Sequence, residues 1–87
     1  MWVNENECKK AGIDIKKVES IAKRIARAAS EAKELGISIF GGSSGMLRFH
    51  EGPDKGDLIL ANISEGIWDG GCGAHGKSID GYIRGEI

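Results

Sequence analysis

The sequence predicts an α+β fold in which one amphipathic helix packs on a three- to four-stranded antiparallel sheet, an α-β-β-β meander. Two patterns carry that prediction. Apolar residues recur at helical spacing from Val18 to Leu35, and the period then drops to two in three short runs ending at Ile63. A third observation agrees with them: 14 glycines and a single proline, with glycine at about twice its usual share, mark a turn-rich chain.

Residues 1–13 form an N-terminal segment with no clear period. Lys9 to Gly12 reads as a turn, and Trp2 and Val3 as apolar residues that pack. The helix occupies 14–36. Asp14 is its N-cap, because a carboxylate accepts from the free amides of a first turn. Ile13 and Val18 stand at the spacing of a hydrophobic staple. Val18, Ile21, Ala22, Ile25, Ala28, Ala29, Ala32 and Leu35 then fall on one face. Gly36 follows, where a left-handed C-terminal position suits glycine.

Residues 37–63 hold the antiparallel strands. Ile37 and Ile39 alternate with Ser38 and Phe40. Gly41 to Gly45 turns the chain, and Met46 to His50 alternates again. Gly52 to Gly56 makes a second turn. Leu58 to Ile63 is the most apolar strand and so the expected centre of the sheet. Residues 64–87 are a Gly-rich C-terminal segment with half of the glycines, in which Ile79 to Ile83 reads as a short edge strand.

Eighty-seven residues make one domain with a thin stability margin, for which self-association as a homodimer is a natural remedy. The net charge of −1 supplies no basic field for nucleic acid. No apolar run approaches the roughly 18 residues that span a bilayer. The N-terminus has no basic stretch leading into an apolar one, so no secretory signal is expected. Two cysteines then imply a reducing cytoplasm and free thiols.

Candidate sites follow from residue chemistry. Cys72 and His75 stand at a C-x-x-H spacing compatible with zinc, with Cys8 and His50 as isolated further ligands. A buried thiol and a loop histidine is the better reading, so no metal or other cofactor is expected. The same pair as nucleophile and base lacks an orienting third group, and no carboxylate pair or triad can be assembled, so the chain is read as non-enzymatic. Gly42, Ser43 and Ser44 suit an anion cradle, but they join strand to strand and lack the lysine of a phosphate loop; a hairpin loop is preferred. Lys16, Lys23, Arg24 and Arg27 cluster on the polar helix face, where Lys16 and Lys17 oppose the helix dipole at a cost of a few tenths of a kcal/mol. They mark either a surface for an acidic partner or a solvated face. In Gly66-Ile67-Trp68-Asp69-Gly70-Gly71, Trp68 is either a contact anchor or the floor of the core.

The run from Leu35 to Arg48, followed by Ile67 to Gly71 and by Arg84-Gly85-Glu86, resembles small proteins encoded by phages and prophages. Anti-CRISPR and other anti-defence inhibitors are examples. The resemblance implies a stoichiometric inhibitor of a host protein and transfers no residue roles. Two expectations follow. The first is a binding protein that captures a host protein through Lys16, Lys23, Arg24, Arg27, Trp68 and Asp69. The alternative is a small anionic ligand, such as a nucleotide, held by the glycine-rich loops.

Overall fold

The computed structural model describes residues 2–42, 44–70, 75–77 and 79–85, with the backbone alone for 75–77 and 83–85. It is α+β: helices α1 (Glu5–Ala11) and α2 (Ile15–Glu34), strands β1 (Ser38–Phe40), β2 (Met46–Phe49) and β3 (Leu58–Asn62), then β4 (His75–Lys77) and β5 (Ile83–Gly85). The chain divides into two compact units, Met1–Ala28 with Cys72–Ile87, and Ala29–Gly71.

In the first unit, α1 stands where the sequence suggested only a turn. Asn4 Oδ1 accepts from the Glu7 amide at 3.2 Å, Glu5 and Glu7 lie in the first turn, and Lys9 and Lys10 in the last. Both ends therefore complement the helix dipole. The Ile13 amide donates to the Cys8 carbonyl at 3.0 Å and the Gly12 amide to Lys9 at 3.1 Å, which closes the helix. The Lys10 ammonium lies 5.7 Å from the centre of the Tyr82 ring, within cation–π range.

The strand expected over Ile79–Ile83 is largely a turn. β4 and β5 pair antiparallel, with Lys77 opposite Ile83. Asp80 Oδ1 accepts from the Tyr82 amide at 3.2 Å, and Gly81 sits at φ 84°. A side chain that bonds its own backbone two residues on favours a turn over a strand.

Asp14 caps α2 as expected, its Oδ1 accepting from the Lys16 amide at 2.9 Å. Asp14→Ala should cost about 1 kcal/mol, read as a lower urea midpoint by far-UV circular dichroism. An unchanged midpoint would deny the cap any energetic role.

In the second unit, the end of α2 feeds the sheet. The Ile37 amide donates to the Ala32 carbonyl at 2.8 Å and the Gly36 amide to Lys33 at 3.0 Å, with Gly36 at φ 74°. That pair of bonds is a Schellman closure, and it stops the helix three residues before β1 begins. Ala32 is the one buried apolar side chain among the described residues, at 9% exposure.

The sheet order is β1-β2-β3, all antiparallel, so β2 is central and β3 an edge. The sequence expectation placed Leu58–Ile63 at the centre. Tight turns make neighbours of consecutive strands, and that constraint outweighs the apolar run. Leu47 faces Ala61 while Arg48 faces Ile59, so Leu60 is the extra residue of a bulge.

Candidate functional site

Cross-strand partners share a face of the sheet. The pairs Ile39–Leu47, Leu47–Ala61 and Phe49–Leu58 therefore put Ile39, Leu47, Phe49, Leu58 and Ala61 on one side, without a polar group among them. This face is open. Ile39 is 44% exposed, Leu58 46% and Phe49 37%.

The other face is mixed. It carries Ser38, Phe40, Met46, Arg48, Ile59 and Asn62. The Arg48 guanidinium carbon lies 3.8 Å from the Phe40 ring centre, a close cation–π stack. Arg48 Nε is enclosed and has no acceptor among the described residues. The guanidinium charge therefore rests against the ring face.

One end of the sheet is closed by two loops. The Gly45 amide donates to the Gly42 carbonyl at 3.1 Å. Beyond β3 the ladder continues, with the Ile63 amide on the Gly45 carbonyl at 2.9 Å and the Ser64 amide on Ser44 at 3.0 Å. Asn62 Oδ1 accepts from the Ser44 hydroxyl at 2.6 Å and the Ser64 hydroxyl at 3.0 Å. Trp68 lies over Gly45 so closely that a methyl group there would stand 2.5 Å from its Cε2. The Trp68 indole N–H donates to the Glu65 carbonyl at 2.5 Å.

These bonds bear on the predicted site residues. Ser44 and Gly45, the loop donors that an anion cradle would use, are engaged with Asn62 and Gly42. Gly42 is walled by the Phe40 ring, 2.5 Å from where its Cβ would stand, and by the Gly70 backbone. Ser43 lies outside the described residues. Trp68 is half-buried and serves as the lid of this loop end, with exposed Asp69 beside it.

Lys16, Lys23, Arg24 and Arg27 are all exposed on α2, with Arg24 Nε donating to the Ser20 carbonyl at 3.4 Å. They belong to the first unit, Trp68 and Asp69 to the second. Cys72 is outside the described residues and His75 falls in β4, where only the backbone is described. Cys8 is a half-buried free thiol on α1. His50 Nδ1 meets Asp57 Oδ1 at 2.9 Å across the base of the β2–β3 loop. Among the described residues no three His, Cys, Asp or Glu side chains gather as a metal set. No described helix is long and apolar enough to cross a membrane.

The sequence reading did not single out Ile39, Phe49 and Leu58 as a surface. A signal for it was present: three apolar strands and one helix leave more apolar sheet than that helix can cover. The arrangement defines a small α+β chain with an uncovered apolar sheet face. No family model matches it, and no curated protein or solved structure shows detectable similarity.

Proposed function

We propose that the chain is a non-enzymatic binding protein that acts by direct contact with another protein through the apolar sheet face. The observation that carries this reading is the exposure of Ile39, Phe49 and Leu58 side by side on paired strands. Monomers seldom leave a contiguous apolar patch of more than a few hundred Å² to water, and larger ones mark contact sites. The partner is a host protein met in the cytoplasm, and the action is stoichiometric inhibition, as the resemblance to phage accessory proteins implies. The reading keeps the α-β-β-β meander and gives its two faces different tasks. Ala32 is enclosed in the last turn of α2, and the apolar sheet face meets the partner.

The test is retention of a host protein from lysate by the tagged chain and two variants. Ile39→Glu/Leu58→Glu should weaken capture at least tenfold, about 1.4 kcal/mol, because a charge inserted in an apolar contact must be desolvated. Lys16→Glu/Lys23→Glu/Arg27→Glu should leave it within about twofold if the helix face is only solvated. The opposite pattern would move the contact to the helix. Equal capture by all three proteins, or none by the native chain, would defeat the sheet-face reading.

A further inference from the structure

Strand β3 is an open edge of the sheet. The order β1-β2-β3 leaves one side of Leu58–Asn62 without a neighbouring strand. Among the described residues, no backbone group of β3 bonds outside its ladder with β2. All of β3 is exposed, Ile59 at 54% and Leu60 at 48%. Such an edge presents a row of N–H and C=O groups, which chains usually blunt with lysine, proline, an inward charge or a bulge. Of these devices Leu58-Ile59-Leu60-Ala61-Asn62 has only the bulge at Leu60. The other edge, β1, is three residues long and offers a shorter ladder.

The charges around β3 are of one sign. From Gly56 to Gly71 the chain carries Asp57, Glu65 and Asp69 and no Lys or Arg. Asp57 immediately precedes β3, and Glu65 follows its end by three positions, so a carboxylate flanks each end. Asp57 shares one oxygen with His50 but keeps a side chain 35% exposed, and Glu65 is exposed. We infer that β3 takes up an extended segment of another protein as a further strand, about nine residues long, apolar or neutral at its centre and basic at both ends. Backbone hydrogen bonds supply the attachment, and the flanking carboxylates supply the selection. Every second side chain of the added strand would continue the row that holds Leu58 and Ala61.

A second copy of this chain suits the edge poorly. Antiparallel pairing of two β3 strands about a two-fold axis brings the Asp57 end of each toward the Glu65 end of the other, so like charges meet twice. It also sets two bulges against each other, whereas a foreign strand meets only one. Strand addition rests on the reading of the chain as a binding protein, but it engages the edge of the sheet rather than the apolar face. Every residue it needs lies in the unit Ala29–Gly71.

The probe is a synthetic peptide, Lys-Lys-Val-Thr-Val-Thr-Val-Lys-Lys, titrated into the full chain and followed by amide hydrogen exchange. Alternate amides within Leu58–Asn62 should exchange at least about tenfold more slowly, and those of Ser38–Phe40 should not change. The same peptide with Pro for both Thr keeps the charge but cannot extend a ladder, and should protect nothing. A version flanked by Glu should bind at least about tenfold more weakly. Asp57→Lys/Glu65→Lys should reverse that preference. If the double variant does not fold, Glu65→Lys alone should narrow the preference at least about threefold. Ile39→Glu, on the apolar face but in β1, should leave peptide binding within about twofold. Absent binding, equal protection by the proline peptide, protection of β1 in place of β3, or no preference for basic flanks would each overturn strand addition. So would β3 amides that gain protection as the chain alone is concentrated, which would make the occupant a second copy. A failed peptide together with host capture that Ile39→Glu/Leu58→Glu still weakens would remove the edge and leave the apolar face standing. Protection of β3 that survives Ile39→Glu, with no host protein captured, would do the reverse.

Discussion

Gly45→Ala should destabilise the sheet unit by about 3 kcal/mol or more, a large share of what a small domain has. Two causes add. Gly45 sits at φ 77°, a conformation that costs an alanine roughly 1 to 2 kcal/mol. The new methyl would also stand 2.5 Å from Trp68 Cε2 and 2.6 Å from Cδ2, well inside contact distance, so the indole must move. The Gly45 backbone cannot shift away freely, because its amide is bonded to Gly42 and its carbonyl receives Ile63. With a urea dependence on the order of 1 kcal/mol per molar, the midpoint should fall by roughly 3 M. The displaced indole gives a second readout. In a Trp2→Phe background, Trp68 is the sole tryptophan, and its emission should shift to the red in Gly45→Ala. A variant with native midpoint and emission would mean that Trp68 does not rest on Gly45.

The limits of sequence reading are visible at particular residues. Asp14 and Gly36 were legible because capping is local: each acts on amides or carbonyls within a few positions. The signals for α1 were equally local, an Asn4-x-x-Glu7 start and Gly12 at its end, but seven residues give too short a period to stand out. The β1–β3 alternation was legible for the same reason that the helix was. The rank of β3 was misjudged because apolar content reports burial, whereas neighbour order follows from loop length. The apolar face could not be assembled from the chain alone. Which of Leu58, Ile59 and Leu60 joins Ile39 depends on the bulge, and a one-residue slip exchanges the faces. The contact of Trp68 with Gly45 is the extreme case, since 23 positions separate two residues whose types suggest no partnership.

That contact makes Trp68 the second position of large effect. Trp68→Ala should cost about 2 to 3 kcal/mol: less than a fully buried tryptophan, because the ring is half-buried, but including the bond to the Glu65 carbonyl. Trp68→Phe should recover most of it, losing roughly 1 kcal/mol for the indole N–H and part of the ring area. The two sites are in contact, so their effects should not add. Once the indole is gone, Gly45→Ala retains only its backbone strain, and its cost should fall from about 3 to about 1 to 2 kcal/mol. A double-mutant cycle on urea midpoints measures the difference directly. A coupling of at least about 1 kcal/mol would establish that the glycine is held there by the tryptophan as well as by φ. Strict additivity would assign the whole cost to the left-handed backbone and leave Trp68 free to serve as the contact anchor that its sequence setting suggested.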